Sequence, residues 1–505
     1  MIRSFVYSLK PKDYFLCIIS AIFLALPYCN GNLWIFAWFG FVPVFLALNN
    51  KSRKEAFFLF FIAGLVFWST TIYWLIHVTL PGTILLIIYL ALYPALFGLI
   101  IRPSTRCYTP LALIFIPSVW VLLEYIRSYL FSGFGWALLG YSQYLNLPVI
   151  QVADITGVWG VSFLVMMINV AIYQLATGRK KFLIPLLVLG LALGYGYYKI
   201  YRPATSDQQP STSISIIQGN IPQELKWDTD PRVKYHVIDT YLTLSSQALK
   251  DNPALIIWPE ASLPVVLEEE PYFSQVVGDF ARQRKVAILT GAVTSRDNLY
   301  FNSAVLFSKE GELSERYEKV HLVPFGEYIP LKDALPFLQA VVPIGEITPG
   351  EQYTVFMYNG QRFSVLICFE DLFPEIARRY AKNGAGFLVN ITNDAWYKKT
   401  PAAYQHLQAS VLRAVETRLS LVRAANTGVS GFIRPSGKII SPVSDEAGRE
   451  IFVPGYRTQP VFASGGELTL YTRYGDIFIL FCIIALFCGV VVSFLPSAPC
   501  VSPHR

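Results

Sequence analysis

The chain has 505 residues, of which 54% are hydrophobic and only 15% are charged. The charged share is well below the roughly 25% typical of soluble globular domains. Its net charge of +7 comes from cations that cluster at the edges of long apolar runs, and no basic stretch interleaved with aromatics is present. This pattern argues against a nucleic-acid surface and indicates a membrane protein. No glycine-rich phosphate-binding motif supports nucleotide binding.

Eight apolar runs are each long enough to span a bilayer. They lie at residues 13–29, 33–49, 56–77, 82–101, 110–130, 157–177, 182–199 and 474–495. The first run is not a cleaved signal peptide, because further runs follow it at once. The sequence therefore predicts a membrane domain of seven spans over residues 1–202, and an eighth span with a short tail over residues 467–505.

Basic residues occupy alternate loops of the membrane domain. The loops 30–32, 77–82 and 132–156 contain no Lys or Arg. The other loops and the N-terminal segment carry Arg3, Lys10, Lys12, Lys51, Arg53, Lys54, Arg102, Arg106, Arg179, Lys180 and Lys181. Basic loops stay in the cytoplasm, so this alternation predicts a cytoplasmic N-terminus and an extracytoplasmic segment after the seventh span.

Two ionisable residues, Glu124 and Arg127, stand three apart on one helix face of the fifth run. Ionisable groups are costly inside a membrane, so such residues are candidates for function. The alternative is an ion pair at the membrane interface, and the sequence leaves both interpretations open.

A segment rich in Pro, Ser, Gln and Asp over residues 203–210 predicts a linker. Beyond it, strand-like runs alternate with helical patterns across residues 211–466. The strand-like runs are 214–218, 254–258, 286–293, 303–307, 364–368 and 387–392, and the helical patterns include 232–249, 272–284 and 406–423. This alternation predicts a layered α/β domain with a sheet core.

Cys368 is the one cysteine of the seven that lies in this polar segment. It ends the strand-like run Ser364–Cys368 and is followed by Phe369 and Glu370. No neighbouring Cys or His has metal-ligand spacing, and no local partner exists for a disulfide. A free cysteine is usually an inert core residue, so a functional interpretation needs support from elsewhere in the chain.

That support comes from two further contexts. Glu260 stands just past an apolar strand-like run, and Lys319 and Glu327 lie in a loop bent by Pro and Gly. A carboxylate can remove the proton of a thiol, and an ammonium group can stabilise a thiolate or the oxyanion of an acyl-transfer intermediate. Each residue alone would be interpreted as solvated surface, and only the three contexts together predict a catalytic site.

The three motifs are W-P-E-A, then E-K-V-H-L-V-P-F-G-E-Y-I-P, then C-F-E. In this order they resemble the carbon–nitrogen hydrolase (nitrilase) superfamily, which has a Glu–Lys–Cys triad. With seven spans before the motifs and one after them, nearly the whole chain resembles the apolipoprotein N-acyltransferase family of the bacterial inner membrane. The segments 218–222, 226–227 and 392–396 match the family as well.

The resemblance implies a nitrilase-like α-β-β-α sandwich on an eight-helix membrane base. It also implies a two-step reaction in which Cys368 takes an acyl chain from a phospholipid as a thioester. The enzyme then passes the chain to the α-amino group of a diacylglyceryl-cysteine at a lipoprotein N-terminus. The expected partners are therefore a phospholipid, a diacylated lipoprotein and the membrane. No cofactor or metal is implied, and we expect a monomer.

The resemblance also implies roles for individual residues. Glu260 would be the general base, Lys319 the partner of the thiolate and the oxyanion, and Cys368 the nucleophile. Glu327 would position Lys319 or assist the acceptor amine, and Glu370 would support the site.

Two aromatic residues, Trp227 and Trp396, would line the entrance for the acyl chain and the headgroup. The sequence departs from the family at Phe369, where Tyr is common, and this removes a phenolic hydrogen bond. It departs again over residues 397–406, which include Lys398 and Lys399. These two lysines either hold the phosphate of an anionic donor lipid or are solvated residues of a loop.

Two rival functions remain at this point. A membrane-tethered amidase could hydrolyse small amides with the same triad, although it would have no need of eight spans. A non-enzymatic membrane scaffold could retain a degenerate domain, but the intact Glu260, Lys319 and Cys368 argue against it.

Overall fold

The computed structural model describes residues 9–106, 111–178, 183–201, 211–226, 228–329, 346–464 and 466–494. It forms two compact units: residues Met1–Arg202 with Tyr474–Arg505, and residues Pro203–Arg473. Trp227, the predicted linker 203–210, the basic residues Arg3 and 179–181, and the end of the C-terminal tail lie outside the described residues.

The first unit is helical. Its α-helices are α1 Pro11–Cys29, α2 Val42–Ala47, α3 Arg53–Thr71, α4 Leu80–Arg106, α5 Ala112–Tyr129, α6 Leu147–Ile150, α7 Ala153–Thr156, α8 Val158–Ala176 and α9 Leu183–Tyr201, followed by the C-terminal helix Ile477–Phe494. Short 3-10 helices cover Gly31–Trp38, Tyr73–His77 and Leu139–Gln143. The C-terminal helix returns to this unit and packs on α5 and α8.

Six of the helices in the described part of the chain are long and apolar enough to cross a membrane: α1, α3, the Leu80–Ile101 part of α4, α5, α8 and α9. The predicted second span, residues 33–49, is instead a 3-10 helix followed by the short helix α2. Gly40 lies at the break between them, and Pro43 lies in the first turn of α2. The predicted eighth span corresponds to the C-terminal helix, which counts among the shorter apolar helices. The number of eight spans therefore stays a prediction.

Glu124 and Arg127 are both buried in the first unit, each 3% exposed. Glu124 Oε1 accepts a hydrogen bond of 2.6 Å from the backbone N–H of Leu139. The Arg127 guanidinium donates to the carbonyl oxygens of Phe134 (2.8 Å) and Trp136 (2.7 Å). Both charged side chains therefore hold the backbone of the loop that follows α5.

The described part of the second unit contains thirteen strands. They are β1 Ser211–Gln218, β2 Leu255–Ile257, β3 Leu263–Val266, β4 Ala287–Arg296, β5 Leu299–Phe307, β6 Leu313–Glu318, β7 Phe356–Tyr358, β8 Gln361–Ile367, β9 Phe387–Thr392, β10 Ser420–Ala425, β11 Gly431–Ile433, β12 Ile439–Ile440 and β13 Gly455–Phe462. One sheet has the order β13-β1-β2-β4-β5-β6 with β3 beside β4, and the other has the order β12-β11-β10-β9-β8-β7.

The two sheets pack on each other, since β1 contacts β10 and β5 contacts β8. Helices α10 Pro231–Ala248 and α11 Pro271–Arg284 pack against the first sheet. Helices α12 Pro374–Lys382 and α13 Ala402–Thr417 pack against the second. The arrangement confirms the layered α/β domain that the sequence pattern predicted and is the α-β-β-α sandwich that the family resemblance implied.

The core between α10 and the first sheet contains Trp258, whose indole is fully buried and stacks on Tyr241 with ring centres 5.2 Å apart. Its N–H donates a hydrogen bond of 2.9 Å to Ser245 Oγ on α10. Removing a buried indole costs about 3–5 kcal/mol. Trp258, which directly precedes Pro259 and Glu260, is therefore held both by ring packing and by a hydrogen bond.

The helical pattern 406–423 was only partly right. Helix α13 ends at Thr417, and Arg418 takes a left-handed backbone with φ +57. Residues Ser420–Ala425 then form β10, which pairs in parallel with β9. The predicted helix 406–423 therefore combined most of α13 with the first part of the buried strand β10. Periodicity alone cannot distinguish a helix from a buried strand over so few residues.

Parallel pairing decides where the functional residues meet. Strands β1, β2 and β4 are parallel neighbours in the first sheet, as are β8, β9 and β10 in the second. Residues just past the ends of such strands lie together at the carboxyl edge of a sheet. Glu260 follows β2, and Cys368 follows β8.

Candidate active site

Cys368 lies at the point where β8 turns into a 3-10 helix, Cys368–Leu372. Its backbone is left-handed, with φ +52, and its side chain is nearly buried, with 8% exposed. A non-glycine residue in this conformation is strained, and such residues cluster at functional sites. The chain therefore bends sharply at the thiol that the sequence singled out.

Lys319 follows β6 and lies between two carboxylates. Its Nζ is 2.8 Å from Glu327 Oε2 and 3.7 Å from Glu260 Oε1. Asn302 on β5 links the same two carboxylates, because its Nδ2 donates to Glu260 Oε1 (2.8 Å) and to Glu327 Oε1 (2.6 Å). The Val323 N–H donates to Glu327 Oε2 at 2.7 Å. The cluster is thus held from several strands and loops.

The charges of this cluster set the protonation states at the thiol. Burial alone would lower the pKa of Lys319, but the carboxylates of Glu327 and Glu260 raise it above its usual range. Burial and the Glu260 carboxylate raise the pKa of the Cys368 thiol well above its usual range, while the Lys319 ammonium acts in the opposite direction. The resting site therefore holds a protonated thiol beside a permanent ammonium, and a base must take the thiol proton.

Glu370, two residues after Cys368, is fully buried. Its Oε1 accepts hydrogen bonds from Tyr317 Oη (2.7 Å), Val320 N (2.8 Å) and His321 N (3.2 Å), and its Oε2 accepts one from Ile367 N (2.8 Å). Burial raises the pKa of Glu370 to about 7, although these hydrogen bonds and Lys319 oppose the change. Glu370 thus ties the backbone after Lys319 to the backbone before Cys368.

A second lysine, Lys226, is fully buried in the same cluster. Its Nζ donates a hydrogen bond of 3.0 Å to the carbonyl oxygen of Glu260. Burial lowers the pKa of Lys226 to about 7, and the charges of Glu260 and Cys368 oppose this shift. The Lys226 amine therefore holds the backbone that carries the predicted base.

A buried network of charged side chains lies on the other side of the Cys368 backbone. His406 Nδ1 is 2.8 Å from Asp394 Oδ1, and its Nε2 is 2.9 Å from Asp371 Oδ1. The Arg423 guanidinium contacts the same two aspartates, at 3.1 Å from Asp371 Oδ2 and 3.3 Å from Asp394 Oδ2. All four side chains are at most 2% exposed.

The remaining predicted residues lie at different depths. The Phe369 ring is buried and packs on Phe373 with ring centres 5.0 Å apart. Trp396 is 48% exposed, and Lys398 and Lys399 are exposed beside it. The roles proposed for Trp396 and the two lysines stay predictions, as does that of Trp227, which lies outside the described residues.

Sequence reasoning assigned no role to Lys226, Asn302, or the network of Asp371, Asp394, His406 and Arg423. One clue was available in Arg423, a lone charge within the apolar strand Ser420–Ala425. A charge inside a buried strand must find partners, and partners on neighbouring strands indicate a built polar site. Among the described residues, no group of three or more His, Cys, Asp or Glu side chains could hold a metal ion.

Two families match the chain, each over one of its parts. Residues 20–171 match the apolipoprotein N-acyltransferase N-terminal domain, and residues 213–454 match carbon-nitrogen hydrolase. A relative named apolipoprotein N-acyltransferase, from Geobacter metallireducens, is 37% identical over 501 residues, covering 94% of this chain and 93% of that protein. A relative of the same name from Pasteurella multocida is 31% identical over 499 residues, covering 92% of each.

Among solved structures, an amidase from Nesterenkonia sp. matches this chain with 20% identity and a TM-score of 0.39. The match covers 54% of this chain and 95% of the amidase. At that identity and TM-score the likeness says nothing about substrate.

Proposed function

The chain belongs to the apolipoprotein N-acyltransferase family, and we propose that it transfers a phospholipid acyl chain through a Cys368 thioester to the N-terminal amine of a diacylated lipoprotein. The observation that carries the assignment of residues is the placement of Lys319 between Glu260 and Glu327, close enough to Cys368 for their charges to act on its thiol.

In the first step Glu260 takes the proton from Cys368 Sγ, and the thiolate attacks the carbonyl carbon of the donor ester. The carbonyl oxygen becomes an oxyanion that the Lys319 ammonium stabilises. When this intermediate collapses, the ester C–O bond breaks, and the leaving alkoxide receives the proton held by Glu260. The products are a lysophospholipid and an acyl thioester on Cys368.

In the second step the α-amino group of the lipoprotein attacks the thioester carbonyl. The amine then loses a proton to one of the two carboxylates that flank Lys319, Glu260 or Glu327. The C–S bond then breaks, an amide forms, and the Cys368 thiol regains its proton. The thioester keeps the acyl group activated while the first product leaves and the second substrate arrives.

The proposal also covers location. The alternation of Lys and Arg between loops supports a cytoplasmic N-terminus, eight spans in the bacterial inner membrane, and an extracytoplasmic catalytic domain. An enzyme that takes long acyl chains benefits from a membrane site, because such chains partition into lipid. We expect it to act as a monomer.

Impermeant labelling tests the location with two matched variants in a cysteine-free chain. Lys309→Cys lies in the exposed turn between β5 and β6, and Lys54→Cys lies near the exposed start of α3. A membrane-impermeant maleimide applied to spheroplasts should label Cys at position 309 and spare position 54, and both should react once the membrane is permeabilised. The opposite labelling would place the catalytic unit in the cytoplasm and end the lipoprotein proposal.

Intact-protein mass spectrometry tests the reaction itself. Incubation with a phospholipid should add the mass of one acyl chain to Cys368, and a synthetic diacylglyceryl-cysteine peptide should then remove it and gain the same mass. Release of ammonia from small soluble amides, with no acyl adduct from phospholipid, would instead support the amidase. An adduct that the peptide cannot remove would contradict the transfer step.

A further inference from the structure

The carbonyl oxygen of Cys368 is held by two side chains that the proposed reaction does not use. His406 Nε2 lies 3.1 Å from this oxygen and 2.9 Å from Asp371 Oδ1, and Asn390 Nδ2 donates to the Cys368 carbonyl oxygen at 3.3 Å. His406 comes from α13 and Asn390 from β9, so two separate elements fix one peptide group.

These two donors are themselves fixed. Asn390 Oδ1 accepts a hydrogen bond of 2.6 Å from Arg423, and Asn390 Nδ2 also donates to the carbonyl oxygen of Leu366 (3.2 Å). His406 is held on its other ring nitrogen by Asp394, at 2.8 Å. The side chains of His406 and Asn390 are therefore fixed in one orientation each, because rotating either one would break a buried hydrogen bond.

The peptide group that they hold is the strained one. Cys368 has φ +52, a conformation that a residue with a Cβ rarely adopts unless its surroundings impose it. The same φ decides the direction of the Cα–Cβ bond, and therefore where Sγ lies relative to Lys319 and Glu260. A relaxed backbone at Cys368 would move the nucleophile away from both groups.

The charge state of His406 follows from its neighbours. Burial would lower the pKa of His406, but the carboxylates of Asp371 and Asp394 raise it to about 9, while Arg423 opposes them. Arg413 and Glu416, also on α13, form an ion pair of 2.7 Å with each other. An imidazolium at 406 therefore balances the two aspartates together with Arg423. A neutral imidazole would leave one uncompensated negative charge beside Cys368.

We propose that His406 is a positioning residue, which as an imidazolium donates Nε2–H to the Cys368 carbonyl oxygen and keeps the left-handed backbone that aims the thiol at Lys319 and Glu260. This role rests on Cys368 being the nucleophile of the proposed function.

Two variants separate the two ends of the imidazole. His406→Gln places an amide N–H near the position of Nε2, toward the Cys368 carbonyl oxygen. His406→Asn places one near the position of Nδ1, toward Asp394. His236→Gln, at an exposed position of α10, is the control. The measurements on the full chain in detergent are the melting temperature, the rate of acyl-enzyme formation from phospholipid, and the rate of Cys368 alkylation by iodoacetamide.

His406→Asn should lower the rate constant of acyl-enzyme formation by roughly 10- to 100-fold, since a displacement of about 1 Å at a reacting group has an effect of that order. His406→Gln should retain more of the rate, the KM for phospholipid should change little in either variant, and His236→Gln should behave as the parent. Equal rates in the Gln and Asn variants at equal melting temperatures would overturn the proposal.

The pH profile of the parent provides a measurement that needs no stable variant. The pKa of about 9 for His406 lies above its ordinary 6.5, so the contribution of the imidazolium is complete below pH 6.5 and is lost as the pH rises through 9. The alkylation rate of Cys368 should therefore fall above about pH 9 once it is divided by the thiolate fraction of this same thiol, measured at each pH as the difference in thiolate absorbance between the parent and Cys368→Ala. A corrected rate that is flat from pH 7 to 10 would also overturn the proposal.

Alkylation also keeps the two hypotheses apart. A parent enzyme that forms no acyl adduct but whose Cys368 alkylation responds to His406→Asn would refute the acyltransferase mechanism and retain the positioning role. If the parent forms the acyl adduct and all three variants form it at the same rate as the parent, the acyltransferase mechanism would stand and the positioning role of His406 would be refuted.

Discussion

Replacing Cys368 with alanine is expected to abolish both the acyl adduct and transfer to the lipoprotein peptide, a loss on the order of 10⁴-fold or more for a covalent nucleophile. Cys368→Ser should retain a trace at most, because an alcohol is far harder to ionise than a thiol. Burial and Glu260 already raise the pKa of this thiol, so the site has little capacity to ionise a weaker acid. Time-resolved intact mass with phospholipid measures both variants.

The matched control for the cysteine replacement is Cys29→Ala, at an exposed position in the first unit. Both replacements are small, and the Cys368 variants should keep the melting temperature of the parent within a few degrees. Transfer at a normal rate by Cys368→Ala would require a direct attack of the lipoprotein amine on the phospholipid ester. It would remove the thioester from the mechanism.

Substitutions at Glu260 and Lys319 should block the first step separately. Glu260→Gln removes the base and should slow acyl-enzyme formation by about 10²- to 10⁴-fold. Lys319→Ala removes the group that stabilises the oxyanion, a loss of about 10²- to 10³-fold, and leaves Glu260 and Glu327 facing each other across Asn302 without their shared cation. Single-turnover rates of acyl-enzyme formation distinguish both variants from the parent.

The exposed residues Glu312 and Lys309 provide matched controls, as Glu312→Gln and Lys309→Ala, which should behave as the parent. The alkylation of Cys368 separates the two roles further. Lys319→Ala should slow alkylation at pH 8, because its ammonium lowers the pKa of the Cys368 thiol. Glu260→Gln should speed it, because the Glu260 carboxylate raises that pKa. An acyl-enzyme that accumulates normally in Glu260→Gln would remove Glu260 as the base.

A layered α/β domain could be predicted because the core strands Ile214–Gln218 and Ser364–Cys368 carry strong apolar patterns. The α-β-β-α order of its layers was implied only by the family resemblance. Several further strands escaped prediction. β3 has only four residues and β12 only two, so neither has a pattern long enough to identify. The helix ending at Thr417 and the strand beginning at Ser420 were merged for the same reason. The second predicted span was taken as one run because hydropathy alone does not register the break at residues 39–41.

The sequence alone determined the family, the order of the three motifs, and the chemistry that Glu260, Lys319 and Cys368 can perform together, because these depend on residue type and local context. Only the tertiary structure decided that Asn302 links the two carboxylates, that Lys226 holds the Glu260 carbonyl, and that His406 lies against Cys368. These contacts join residues 25 to 42 positions apart. Parallel strand pairing and helix packing create them, and spacing along the chain carries no record of which strand ends become neighbours.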